Sequence, residues 1–286
     1  MSAANLIRVF NGAVAIITGG ASGIGKAFGE ALAERGCEVV LADIQAEPAE
    51  ETAAGIRAAG GKAAAARVDV TRHENVAKLV EETVERCGRL DYMFNNAGIV
   101  LFGEAGEYRM EDWQKSIDVN LRGVIHGVDA AYRVMRRQGF GHIVNTASIA
   151  GLMPWPMEIG YTTTKHAVVG LSTALRAEAG PAGIRVSVLC PGLVRTPIIY
   201  GGKYGGWIRP RPEDKMKRLM DSMRPLPVDR FVQVALKQIE RNKAIIVVPF
   251  FYRALWWMYR LWPPLGVGFA RMVYREMQRQ LGSGES

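Results

Sequence analysis

The chain has 286 residues, 49% of them hydrophobic and 22% charged, a length and balance that exclude a disordered or low-complexity protein and supply a sizeable core. Its net charge of +8 lies in the C-terminal part: residues 201–286 hold 16 Lys and Arg against 7 Asp and Glu, whereas residues 1–200 hold 20 against 21. Such an excess suits an anionic surface or an anionic substrate, or else a solvated basic face; without a compact basic block interleaved with aromatics, nucleic acid is not indicated.

The elements alternate regularly from the start. Residues 14–17 predict a first strand, and Thr18-Gly19-Gly20-Ala21-Ser22-Gly23-Ile24-Gly25 leads from it into a helix over 24–35. A glycine-rich turn in that position lets backbone approach a pyrophosphate, whose charge the helix N-terminus favours. Gly19, Ser22, Gly23, Ile24 and Gly25 are therefore candidate nucleotide-binding residues. Cys37 begins a run of three isolated cysteines, with Cys87 and Cys190, that has neither CxxC spacing nor an even count, so a reducing, cytoplasmic setting is expected. A second strand over 39–42 ends at Asp43-Ile44, eighteen residues past Gly25. A carboxylate there accepts hydrogen bonds from the adenosine ribose and repels a 2′-phosphate, and Ser22 stands where a basic residue would hold that phosphate. NAD is expected rather than NADP; the alternative for Asp43 is a helix cap.

Further strands are predicted over 65–68, 92–95, 143–146 and 186–189, with helices over 75–87, 113–137 and 161–179. This alternation implies right-handed crossovers and one α/β unit, a Rossmann-type doubly wound parallel sheet of about seven strands with helices on both faces. His73, His126, His142 and His166 form no HxxxH or HExxH pair, so no metal is expected. Residues 196–227 change to Gly, Pro, aromatic and basic residues, with a short helix around 213–223; an insertion of this length above the sheet's carboxyl edge is expected to be a substrate lid. A helix over 228–241 and a strand over 244–248 complete a catalytic domain over 1–249. The extension over 250–286 begins with an aromatic, basic run that Pro263-Pro264 interrupts, followed by a second basic helix over 267–281. It is too short and too charged to span a bilayer. It reads either as an anchor lying peripherally on a membrane surface or as an arm packed over the catalytic domain or a partner subunit.

Ser148, Tyr161 and Lys165 are the candidate catalytic residues. Tyr161 and Lys165 lie four apart on a predicted helix, so their side chains share a face. A phenol with a pKa near 10 is a poor base at neutral pH, and an adjacent ammonium together with oxidised nicotinamide favours the phenolate. Ser148 follows a strand end, where its hydroxyl can bind a substrate oxygen at the usual ligand side of an open α/β sheet.

With these residues in place the chain resembles the short-chain dehydrogenase/reductase family over nearly all of residues 11–200. Asp69-Val70, Asn95-Asn96-Ala97-Gly98, Asn120 and Pro191-Gly192-Leu193-Val194-Arg195-Thr196 carry the resemblance further. It implies that Asp69 and Val70 contact adenine, that the Asn96, Ala97 and Gly98 backbone lines the cofactor, and that Val194 and Thr196, beyond the Pro191-Gly192 turn, hold the nicotinamide carboxamide. It also implies that Asn120 completes a catalytic tetrad through a water-mediated relay to Lys165, which binds ribose. The implied reaction is reversible hydride transfer between an alcohol carbon and the nicotinamide ring, with Tyr161 as acid and base. The family's common short Asp-Gly-Gly tail is replaced here by the extension, which leaves a homodimer or a homotetramer open.

Met153, Trp155 and Met157 lie between Ser148 and Tyr161 and are expected to wall the substrate pocket, with packing under the lid as the alternative. An apolar secondary alcohol and its ketone are the expected substrates. The alternatives are a nucleotide-sugar epimerase or dehydratase with tightly held NAD, and a non-catalytic NAD-binding interaction protein.

Overall fold

The computed structural model describes residues 6–201, 204–211 and 213–281. The first five residues, the last five, and positions 202, 203 and 212 of the expected lid lie outside the described residues.

In chain order the first half forms β1 (Val14–Thr18), α1 (Gly23–Ala33), β2 (Glu38–Asp43), α2 (Ala46–Ala58), β3 (Lys62–Arg67), α3 (His73–Cys87), β4 (Tyr92–Asn95), β5 (Val100–Phe102), α4 (Met110–Ile117) and α5 (Gly123–Gln138). The second half forms β6 (Gly141–Thr146), α6 (Ile159–Ala179), β7 (Ile184–Pro191), β8 (Val194–Arg195), β9 (Gly205–Trp207), α7 (Glu213–Ser222), β10 (Leu226–Pro227), α8 (Val228–Glu240), β11 (Ile245–Val248), α9 (Phe251–Leu261) and α10 (Pro263–Leu281). Seven strands make one parallel sheet in the order β11-β7-β6-β4-β1-β2-β3. Ile16 pairs with Val40 on one side and Met93 on the other, so the chain reverses its direction of winding at β1 and β4. Crevices for ligands open at the carboxyl ends of strands flanking such a reversal.

The strands are near-continuous apolar runs because both faces are covered. Ile17, Leu41, Phe94 and Leu189 pack with Phe28, Leu32, Phe231 and Leu236 of α1 and α8. Ile16, Val40, Met93 and Ile143 pack on the other face with Val76, Val128 and Val168 of α3, α5 and α6. A chain of buried hydrogen bonds then fixes α6 to the sheet. Asn95 Nδ2 donates to Asn145 Oδ1 (2.8 Å), Asn145 Nδ2 donates to Ser172 Oγ (2.9 Å), and Ser172 Oγ donates to the Val168 carbonyl (2.6 Å).

Two elements differ from the sequence-based expectation. The helix expected over 113–137 is broken by a π turn, Asp118–Arg122, between α4 and α5. One wide turn shifts the register without erasing apolar periodicity, so a 3.6-residue pattern does not reveal it, and such turns recur at functional sites. The strand expected over 65–68 runs instead over Lys62–Arg67, because pairing with β2, Leu41 against Ala65, outweighs the weak strand preference of four alanines.

Described residues after Thr196 are held by pairing. β9 joins β5 in parallel, with Phe102 and Trp207 stacked 5.3 Å apart, and β10 joins β8. Met157, Ile199, Leu219, Met220, Met277 and Leu281 form a separate apolar cluster that brings α10 onto α7.

Candidate active site

One cavity of about 650 Å³ runs along the carboxyl edge of the sheet, a size suited to a cofactor or small molecule. Each strand end delivers a polar group to it. β1 leads into the glycine turn, β2 into Asp43, β4 into Asn96-Ala97-Gly98, β6 into Ser148 and β7 into Pro191-Gly192. All the expected cofactor residues line it except Gly25, which packs beneath. An added Cβ at Gly25 would lie 2.0 Å from the Gly19 carbonyl oxygen, so glycine there lets helix and turn touch. Gly19 takes φ 68°, and a Cβ on it would meet the Ala97 backbone at 2.9 Å.

The turn is braced from both sides. Thr18 Oγ1 accepts from the Asn96 and Ala97 amides at 2.9 and 3.1 Å. Asp43 accepts from the Ala21 amide (3.1 Å) and the Gln45 amide (3.0 Å), one on each carboxylate oxygen. Each oxygen keeps a further lone pair for a ligand. Ser22, the N-cap of α1, makes no side-chain capping bond, so its first-turn amides are uncapped where an anion binds a helix start. Asp69 Oδ1 accepts from the Thr71 amide (2.9 Å) and hydroxyl (2.7 Å). These features fit a dinucleotide: a cradle that only glycine permits, an uncapped helix start, and carboxylates at the far end.

Ser148, Tyr161 and Lys165 come together in the same cavity. Lys165 is almost fully buried; its Nζ donates to the Thr146 carbonyl (2.8 Å) and lies 5.3 Å from the centre of the Tyr161 ring. Burial pulls its pKa down to about 8, opposed by the nearby Cys190 thiol. Burial first, and then the charge of Glu158, raise the Tyr161 phenol above its ordinary value, while a hydrogen bond with Ser148 lowers it. In the protein without cofactor, desolvation is the largest influence on the phenol, whereas the sequence-based expectation has Lys165 and oxidised nicotinamide together favouring the phenolate.

Asn120 sits on the π turn, wholly buried. It bonds both ways with Ile99, accepting from its amide at 2.8 Å and donating to its carbonyl at 2.9 Å. Gly98 lies close to both it and the lysine: a Cβ there would lie 3.1 Å from Asn120 Oδ1 and 3.5 Å from Lys165 Nζ.

Of the three expected pocket residues, Trp155 lines the cavity. Met153 instead packs in the core beneath α6, and Met157 packs in the cluster under α7. The walls come from farther away. Phe102, Tyr204 and Met220 supply one side, and Tyr252, Val273 and Met277 of α9 and α10 supply another. Tyr252 packs so closely on the cofactor-side turn that a Cβ at Gly192 would meet its ring at 2.1 Å. No local pattern marks these residues, since only the folding back of the extension brings them there.

Glu158 is a further lining residue, with a sequence signal that is visible afterwards: it is the one charged residue between Ser148 and Tyr161. Burial raises its carboxyl pKa to about 8. A carboxyl raised in the folded state contributes stability that is full below its unfolded pKa and lost as pH rises through its folded one. Replacing Glu158 with Gln is therefore expected to raise stability relative to the parent as pH increases from about 4.5 to 8, by on the order of 4 kcal/mol at the upper end. Lys165 is common to both chains and cancels. Parallel urea melts at pH 5 and pH 9 check this; an equal difference at both would refute it.

Comparison with known proteins agrees with this geometry. The short chain dehydrogenase family model matches residues 13–200. A cyclohexanol dehydrogenase of an Acinetobacter species is 42% identical over 193 residues, covering 66% of this chain and 76% of that protein. A 3-alpha-(or 20-beta)-hydroxysteroid dehydrogenase of Mycobacterium tuberculosis is 40% identical over 187 residues, 65% of this chain and 71% of that one. The crystal structure of a short chain dehydrogenase/reductase from Burkholderia phymatum in complex with NAD superposes with a TM-score of 0.77 at 29% identity, over 98% of this chain and 99% of that chain. With the sheet order, the glycine cradle and the clustered Ser148, Tyr161 and Lys165 in agreement with these matches, the chain belongs to the short-chain dehydrogenase/reductase family.

Proposed function

We propose that the chain is an NAD-dependent oxidoreductase that interconverts a hydrophobic cyclic secondary alcohol and its ketone. The observation that carries this reading is the convergence of Ser148, Tyr161 and Lys165 on a cavity whose remaining wall is largely apolar. The cyclic alcohols and steroids in the relatives' names point the same way.

NAD, held by the glycine turn, Asp43, Asp69, Val70, the Asn96–Gly98 backbone, Val194 and Thr196, supplies the redox partner of the alcohol carbon. The chain's own residues handle oxygen and proton. Ser148 Oγ, which accepts from the Ala150 amide at 3.1 Å and hydrogen-bonds the Tyr161 phenol, turns its hydrogen to the substrate oxygen. Tyr161 takes the hydroxyl proton in oxidation and returns it in reduction. Lys165, as an ammonium below about pH 8, favours the phenolate electrostatically and binds ribose, and Asn120 supports a water-linked path from Lys165 to solvent. An NAD-reduction screen across cyclic, steroidal and long-chain secondary alcohols tests the reading; activity confined to sugar-like polyols would overturn it.

The extension has a second role in this proposal, a peripheral seat on an anionic membrane. Among the described residues no helix is long and apolar enough to cross a membrane. Yet Phe250, Phe251, Leu261, Trp262 and Leu265 are exposed beside Arg253 and Arg260, the mixture of interfacial helices. The paired change Leu261→Gln and Trp262→Gln is expected to lower sedimentation with phosphatidylserine vesicles at least several-fold; unchanged sedimentation would remove this role.

A further inference from the structure

Glu158 is not accounted for by the reaction outlined above. It occupies the N-cap position of α6 yet makes no capping hydrogen bond, and among the described residues its carboxyl has no hydrogen-bond partner. The residue is 7% exposed and lines the catalytic cavity. Its position is held by backbone: the Met157 carbonyl accepts from the Gly103 amide (2.7 Å), and the Glu158 carbonyl accepts from the Thr162 amide (2.8 Å). The side chain therefore contributes nothing visible to the local fold. Its oxygens are not among the sealed, unpartnered polar atoms of the described residues, which are Asn95 Oδ1, His142 Nδ1 and Arg211 Nε; the carboxyl opens onto the cavity and keeps its hydrogen-bonding capacity for a ligand.

The neighbours limit what that ligand is. Glu158, Tyr161 and Lys165 follow one another at spacings of three and four, which puts them along one face at the start of α6. Glu158 is near enough to Tyr161 and Tyr108 for its charge to raise both phenols. Tyr108 is already engaged, donating to the Leu101 carbonyl. No Lys, Arg or His is paired with Glu158 among the described residues. Burial keeps the carboxyl protonated at neutral pH, and a protonated carboxyl both donates and accepts a hydrogen bond.

We propose that Glu158 is a specificity-determining residue that hydrogen-bonds a second oxygen of the substrate, so that the preferred substrates are hydrophobic alcohols carrying another hydroxyl or carbonyl group. The inference rests on the alcohol–ketone reading of the same cavity and narrows it. A site built around a polar group discriminates against analogues that leave that group unpaired, whereas a wholly apolar wall does not reward a second oxygen.

The test compares cyclohexanol with the 1,2-, 1,3- and 1,4-cyclohexanediols, using the full chain with saturating NAD. The parent chain is expected to favour at least one diol in kcat/KM by about tenfold, the effect of one added hydrogen bond in a dry site. In Glu158→Leu that ratio falls to about one, and in Glu158→Gln, which still donates and accepts, most of it returns. No preference in the parent, or a preference that survives in Glu158→Leu, overturns the inference. Absence of turnover with every alcohol would instead refute the functional reading. Calorimetric titration of the same ligands then decides the role of Glu158 alone: tighter diol binding that Glu158→Leu abolishes supports it, and equal affinities overturn it.

Discussion

A Tyr161→Phe chain is expected to bind NAD as the parent does and to lose turnover by about 10³-fold, within the range that general acid–base groups contribute. The change removes one oxygen from a residue held by α6, whose seat on the sheet depends on the Asn95–Asn145–Ser172 bonds and not on the phenol. Folding and the cofactor cradle are therefore left in place. The lost group is the phenol that hydrogen-bonds Ser148 beside Lys165; Glu158 also lines the cavity but from the N-cap of α6, and Cys190 is buried with its thiol pKa pushed up. Stopped-flow turnover and a fluorescence titration with NADH check both halves. Near-parent turnover would sink the assignment, and lost NADH binding would show that the phenol supports the cofactor site instead.

The second large effect concerns Asp43. Asp43→Ala is expected to weaken NAD about 10- to 100-fold, the loss of hydrogen bonds to a charged group, and to narrow the preference for NAD over NADP by a similar factor. Two consequences have to be separated, because Asp43 also accepts from the Ala21 and Gln45 amides and so shapes the glycine turn. A loosened turn weakens both cofactors alike. Removing a carboxylate that repels a 2′-phosphate improves NADP relative to NAD, so the ratio of the two dissociation constants isolates the electrostatic role. An unchanged ratio in the Ala variant would refute the assignment of NAD preference to Asp43.

Legibility in the sequence followed the range of the interactions involved. The strand ends, the glycine turn and the spacing of Tyr161 and Lys165 were readable because each is local: a few consecutive residues set the backbone geometry that the chemistry needs. Asn120 was named through resemblance alone, and its setting on a π turn was not visible, since one extra residue in a turn leaves the apolar pattern intact. Met153 and Met157 were expected in the cavity and lie elsewhere, because chain proximity to Ser148 and Tyr161 does not determine which way a loop side chain turns.

By itself, then, the sequence determined the doubly wound α/β architecture, and it marked the glycine turn and the Ser148, Tyr161 and Lys165 spacing that the fold brings to one cavity, because backbone periodicity and short-range spacing encode them. Tertiary structure alone decided the shape of the cavity wall. Tyr252, Val273 and Met277 reach the cavity only when α9 and α10 fold back toward α7, and Glu158 stands out only when burial at the cavity raises its carboxyl pKa. Desolvation is a property of the assembled surroundings, summed over residues distant along the chain, and no local run of amino acids carries it.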